Sequence, residues 1–461
     1  MSRGHPHRYN RVWSNRIEGS GDGRIPDAPI YSVTSVAATE ELEAARPAAA
    51  GARGWLVIVL LLLINIVNFI DRQLPFILIS GIKADLKLTD SQIGLMAGVS
   101  FATVYSFGGL FLAHAADRWS PRWVLTISLA VWSAVTAASG LATSFLHLVI
   151  ARAGVAVSEA GCTPSAHALI SRLITPERRG LALTIFSLGV PIGSTLGLAL
   201  GGWINDVASW RTAFFLVGLP GLLIALIAMF ALPRMPKETV SHVAPARFFS
   251  SVRELFAQPA FRHMAIACSA YACGSYAINV FAPAFLMRVH GLSASQAGLY
   301  MGAVFGVGGM AGTFFGGVIA ERLARRNPAW RQYLPAFGQW LSLPFTAAAW
   351  LAPDLNISVA CMAIAYMLTL SYLVPTFTAL QSVVSDRMRA TASAMLLFCL
   401  TIVGASVGPM AVGWISDQLI PTFGDLSLRY AMCAMILTTV VSGAFFIFSG
   451  RALSAVHRRQ G

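Results

Sequence analysis

Four ionisable residues stand where water should be absent. Asp71 and Arg72 close the segment Asn68-Phe69-Ile70-Asp71-Arg72 inside one long apolar run, and Arg152 and Glu159 lie inside another. An ionisable side chain at mid-membrane costs about 3 kcal/mol on insertion scales, so such groups face a cavity or a partner. Arg152 and Glu159, seven residues apart, share one helical face. Counted at about 1.5 Å per residue, Asp71 falls between them in depth. A carboxyl's protonation depends on its burial and on nearby guanidinium groups, so Asp71 or Glu159 can change its proton as Arg152 approaches or leaves. Arg152, once released, can hold an anionic headgroup. The plainer alternative is a fixed ion pair that locks two helices together, an expensive joint in lipid. Arg72 is rotated about 100° from Asp71, a direction expected to face a loop or a lipid headgroup.

The elements that must carry these groups follow from composition. The 461 residues are 56% hydrophobic and 11% charged, with a mean hydropathy of +0.66, whereas soluble chains carry roughly 25% charged residues. The net charge of +13 comes from Lys and Arg clustered in short groups between apolar runs. That pattern fits loops beside anionic lipid headgroups and excludes a nucleic-acid patch. The six cysteines have no metal-ligand spacing and read as packing residues, and no metal or cofactor is expected. Apolar stretches long enough to cross a hydrocarbon core are expected near 54–82, 91–114, 122–142, 146–171, 178–204, 211–232, 262–287, 294–320, 331–352, 356–384, 389–416 and 428–450. Residues 1–53 read as a disordered cytoplasmic tail and 451–461 as a second tail. A polar connector, 233–261, divides a six-helix bundle at 54–232 from another at 262–450. The Lys and Arg residues crowd into the tails and the loops after helices 2, 4, 6, 8 and 10, which places both termini in the cytoplasm, at the inner membrane if the source is bacterial.

The two halves repeat each other. Ser91-Gln92-Ile93-Gly94-Leu95 returns as Ser295-Gln296-Ala297-Gly298-Leu299, and Asp117-Arg118 as Glu321-Arg322, each 204 residues on. Pro164 answers to Pro375, and Gly202-Trp203-Ile204-Asn205-Asp206 to Gly413-Trp414-Ile415-Ser416-Asp417, each 211 residues on. A duplicated six-helix unit is how many transporters place a site between halves that rock against each other. Thr89-x-x-Gln92 and Ser293-x-x-Gln296 both read as capping boxes.

Ala113-His114-Ala115-Ala116-Asp117-Arg118-Trp119-Ser120-Pro121-Arg122, with Gly317-x3-Glu321-Arg322 in the second half, resembles the loop signature of the major facilitator superfamily. It departs from the pattern at Ala113, where Gly is usual, and at Pro121, where a base is usual. The resemblance implies an all-α membrane protein of twelve transmembrane helices in two pseudo-symmetric six-helix bundles. It also implies a cytoplasmic gate built from Asp117, Arg118, Arg122, Glu321 and Arg322, with Asp117 facing the positive start of helix 11 near Arg389. Asn68-x-x-Asp71-Arg72 together with Arg152-x6-Glu159 resembles the Spinster family, which implies a lysophospholipid- or sphingolipid-like substrate. Gly189-Val190-Pro191-Ile192-Gly193 is similar to an antiporter signature, a weak sign by itself.

Asp71 and Glu159 are the candidate proton carriers, and Arg152 and Asn68 the candidate headgroup ligands. The facing wall is neutral: Tyr271, Tyr276 and Asn279 on helix 7, Tyr366 and Thr369 on helix 10. A charged wall opposite an aromatic one suits an amphipathic anion. The expected partners are that substrate, protons and membrane lipids, with no nucleic acid, and the chain is expected to be a monomer. A carrier of small organic anions or drugs is the nearest alternative. A lipid enzyme would need a nucleophile with its base, a paired-carboxylate centre or a metal cluster, and a channel would need a filter-like segment.

Overall fold

The computed structural model describes residues 52–118, 120–233, 245–385 and 388–460. The N-terminal tail to residue 51 and much of the connector lie outside the described residues. We number the long helices by chain order. They are α1 (Ala52–Ile77), α2 (90–118), α3 (Pro121–Ser139), α4 (Phe145–Leu173), α5 (Pro176–Val207) and α6 (Trp210–Ala231). The second half holds α7 (Pro259–His290), α8 (Ala294–Ala324), α9 (Trp330–Leu351), α10 (Leu355–Val383), α11 (389–423) and α12 (427–460). By length and hydropathy, nine spans among the described residues qualify as membrane-crossing, and one of them, Thr391–Ala455, contains both α11 and α12. With α2 and α9, more polar but equally long, they make twelve. Part of the expected loop 233–261 is helical: Pro245–Ala257 seats Leu255 in the core and sets Phe256 edge-on to Phe261 at 5.2 Å.

Prolines set where these helices bend. A proline has no N–H to give the carbonyl four residues back and its ring clashes there. Pro164 therefore loosens the turn at Ala160, and α4 breaks into Phe145–Glu159 and Cys162–Leu173. Pro375, its repeat counterpart, does the same at Ser371, and α10 breaks into Leu355–Leu370 and Leu373–Val383. Pro75 frees the carbonyl of Asp71 in α1. Asp71 and Glu159 thus sit in or beside a turn that proline has weakened. Wide turns at Leu95–Ser100 in α2, Val304–Gly308 in α8 and Leu400–Ala405 in α11 loosen three more helices.

The ends of the helices obey local rules. Thr89 accepts from the Gln92 amide at 3.2 Å while its own amide donates to Gln92 Oε1 at 2.9 Å. Ser293 and Gln296 repeat the exchange at 3.3 and 3.1 Å, so both capping boxes form. Gly291, at φ 66°, ends α7 in the left-handed conformation that glycine adopts without strain.

Close helix approach depends on small residues. A Cβ at Gly408 of α11 would collide with the Cys273 carbonyl of α7. Gly408→Val should therefore cost about 1–3 kcal/mol through overpacking. A lowered thermal midpoint in detergent would show it, and an unchanged midpoint would show that α11 is free to shift.

Candidate functional site

The charged cluster lies between α1 and α4, with aromatic rings of α2 as its third side. Glu159 is fully buried, and its Oε2 accepts from Arg72 Nε at 2.8 Å. The Arg72 guanidinium lies 4.5 Å from the Tyr105 ring, 5.1 Å from Phe69 and 5.5 Å from Phe101. Phe101 and Tyr105, one turn apart on α2, stack at 5.5 Å and form a cradle for the cation. Tyr276 of α7 is within electrostatic range of Arg72, which brings this residue to the boundary between the halves.

This corrects the expectation that Arg72 turns toward a loop or a headgroup. The 100° rotation from Asp71 is real, but Glu159 and the rings of α2 lie on that side of α1. Arg152, on the same face as Glu159, is two turns away, about 10 Å along the helix, and acts on it through charge. Arg72 reaches Glu159 from the neighbouring helix. The guanidinium of Arg152 lies 4.6 Å from the Phe101 ring and its Nε has no hydrogen-bond partner.

Asp71 is 1% exposed, and neither carboxyl oxygen has a hydrogen-bond partner. Its polar neighbours are Glu159 and Arg152 of α4, acting through charge, and Trp132 and Thr136 of α3. Asn68 is buried beside Glu159, and its Nδ2 is also without a partner. Orphaned buried polar atoms are rare in folded proteins and mark sites of strain or function. Here four such groups, Asp71, Asn68, Arg152 Nε and Glu159 Oε1, belong to one cluster.

Across the molecule, Tyr271, Tyr366 and Thr369 line a small cavity of about 40 Å³ among α7 to α10 and α12, together with Ser275, Thr346 and Trp350. Asn279 and Tyr366 line a second, largely apolar cleft between α5, α8 and α10, where Gln73 and Ser194 are the polar lining of the first half. Asn279 Nδ2 donates to the Ser275 carbonyl and Thr369 Oγ1 to the Tyr366 carbonyl, so both satisfy donors within their own helices. Sequence reasoning had no means of selecting Phe101, Tyr105, Trp132 or Thr136. The i, i+4 spacing of Phe101 and Tyr105 was the available signal, but apolar spacing of that kind is common in membrane helices.

The model of the Major Facilitator Superfamily matches residues 61–409. The chain belongs to that superfamily. A protein of Mycolicibacterium smegmatis called an MFS-type efflux pump is 33% identical over 392 residues, covering 85% of this chain and 91% of that protein. Protein spinster homolog 1 of Xenopus tropicalis is 26% identical, covering 85% of this chain and 79% of its own length. The crystal structure of a bacterial homolog of the human lysosomal transporter Spinster, inward-facing and unoccupied, superimposes with a TM-score of 0.79 at 29% identity, covering 88% of this chain and 98% of that one. This chain is therefore a Spinster-like superfamily member, an integral membrane transporter and not an enzyme.

The superfamily's loop residues are divided in this conformation. Arg122 is buried, donates to the Met229 carbonyl at the end of α6 and lies 5.2 Å from the Trp123 ring. Glu321 pairs with Arg331 at 2.9 Å, and Arg322 is exposed. Arg122 and Glu321 are thus tied within their own halves. Asp117 and Arg118 end α2, but their side chains lie outside the described residues.

Proposed function

We propose that this transporter works by alternating access and couples an amphipathic anion, lysophospholipid- or sphingolipid-like, to proton movement. The observation that carries the reading is the single buried cluster in which Arg72 is paired to Glu159 while Asp71 and Arg152 stay open. Arg72 has one counter-charge and a position beside Tyr276 of the other half. Neutralising Glu159 with a proton removes that counter-charge and frees the guanidinium for an anionic head. Proton and substrate then compete for one arginine, and that competition is the coupling. Asp71, with no donor of its own, is the second proton site, and Arg152 and Asn68 complete the headgroup shell. The largely apolar cleft beside Asn279, Phe305 and Tyr366 accepts the tail.

In this reading the bundles 54–232 and 262–450 rock as units, with the tails and the connector in the cytoplasm. The end of the bundle bearing the turns after helices 1 and 7 then faces outside. Asp117 closes the inner side by facing the start of α11. The name of the M. smegmatis relative keeps a second reading open, efflux of a smaller apolar compound through the same site.

Thermal stabilisation of the purified protein separates the two. A ligand at 100 times its Kd stabilises the native state by about 2.7 kcal/mol. Lysophospholipids should raise the unfolding midpoint in wild type and raise it less in Arg152→Ala, where the anionic head keeps Arg72 but loses its second counter-charge in a low-dielectric site. Stabilisation by neutral drugs and by no anionic lipid would favour efflux of small apolar compounds.

A further inference from the structure

The two repeated motifs meet in the structure, each half's motif closing on the other half. At the end of the bundle that carries the turns after α1 and α7, here called distal, Asp417 of α11 accepts from the amides of Asp90 and Ser91 at 2.9 and 2.8 Å. Asp206 of α5 accepts from the amides of Ala294 and Ser295 at 3.1 and 2.8 Å. In each case the carboxylate from a Gly-Trp-Ile-x-Asp segment caps the first turn of α2 or α8. That turn carries partial positive charge on its free amides. Glycines make the approach possible: a Cβ at Gly413 would strike the Asp90 carbonyl, and one at Gly202 the Ala294 carbonyl.

The two contacts are not equal. Asp90 is fully buried and holds three further groups. Arg288 of α7 forks onto both its oxygens at 2.8 and 2.9 Å, Lys83 reaches Oδ1 at 2.6 Å, and Ser416 of α11 donates to Oδ2 at 2.8 Å. The residues at the repeat-related positions, 204 away, are Ala294 for Asp90 and Ala84 for Arg288. The α5–α8 contact therefore has no counterpart of the charged fork.

We propose that the Asp90–Arg288 fork is the principal lock of the distal gate, and that the Asp206 contact between α5 and α8 is its weaker companion. Bidentate charge-assisted bonds across a buried boundary are stronger than a carboxylate on amides alone, and rupture leaves three charges to be rehydrated. The lock is also not the proton sensor. Two cations, Arg288 on both oxygens and Lys83 on Oδ1, hold the Asp90 carboxyl in its ionised form. The facing groups are Lys83 before α2, Arg288 on α7, Ser416 and Asp417 on α11, and Ser427 of α12, which lies 3.2 Å from Ser416. Protons that drive opening must act elsewhere.

Distances between spin labels at Ala84 and Asp425, and separately at Ala208 and Leu292, test this in a background without the six native cysteines. Asp90→Ala/Arg288→Ala gives both positions the residues that the repeat already carries, and so leaves neither half of the fork unpaired. It should move both distance distributions toward the longer, distal-open component, and by more than Asp206→Asn does. Arg288→Lys, which keeps charge and loses the fork, should fall between wild type and the double variant, and supplies the ordering if the double variant does not fold. The pH midpoint of opening should be the same in the double variant as in wild type. An effect of Asp206→Asn equal to or larger than that of the fork variants would overturn the proposal. So would loss of the pH midpoint in the double variant, which would make the fork itself the sensor.

Discussion

Arg72→Ala should abolish gradient-driven transport, with a larger effect than any other single substitution at the site. The change removes the partner of a fully buried carboxylate, and breaking a buried pair from one side costs about 3–5 kcal/mol. It also removes the cation from the Phe69, Phe101 and Tyr105 cradle and from the vicinity of Tyr276. Arg72→Lys keeps the charge but not the planar group that stacks on those rings, and should recover only part of the activity. Glu159→Gln in the Arg72→Ala background should restore folding stability without restoring transport, because it removes the orphaned charge and leaves the headgroup ligand absent. Stability and flux recovering together would make the pair a structural joint, the plainer alternative weighed from sequence.

Asp71→Asn should separate exchange from accumulation. The substitution keeps shape and removes the titratable group, so substrate should bind and exchange across the membrane while uphill accumulation is lost. The carboxyl is buried among Trp132, Thr136, Arg152 and Glu159, inside the charged cluster itself. Glu159→Gln is the competing variant. It should free Arg72 permanently, and so tighten binding of an anion while slowing its release. If Glu159→Gln uncouples and Asp71→Asn retains proton-driven accumulation, the proton site belongs to α4 alone.

The sequence made much of this legible where local chemistry decides structure. Thr89 and Ser293 announce their capping boxes because a side chain and an amide three residues apart need nothing else. Pro164 and Pro375 locate the breaks in α4 and α10 because the proline effect is confined to one turn. Arg72 was legible as an unusual residue but not as a site residue. A helical wheel gives its angle from Asp71, but only the packing of α1 against α2 and α4 says which angle faces Glu159 and the rings of α2. The repeated Gly-Trp-Ile-x-Asp segments showed duplication, yet their carboxylates act on the opposite half, more than 80 residues away in one case and more than 320 in the other. Pairing across such separations is a property of the assembled bundle. The shared face of Arg152 and Glu159 was legible from their spacing, but not that Arg72, from the neighbouring helix, is the cation that bonds Glu159.

The central claim is that one buried cluster ties an anionic substrate to protons, and proteoliposomes test it most directly. Wild-type protein would be reconstituted with an imposed proton gradient and a radiolabelled lysophospholipid, and uptake followed with the gradient present and after its collapse by a protonophore. The account predicts saturable accumulation that stops when the gradient is collapsed, and exchange without accumulation in Asp71→Asn. Flux of the lipid that is saturable but unchanged by the gradient in wild type, and equal in Asp71→Asn, would contradict it.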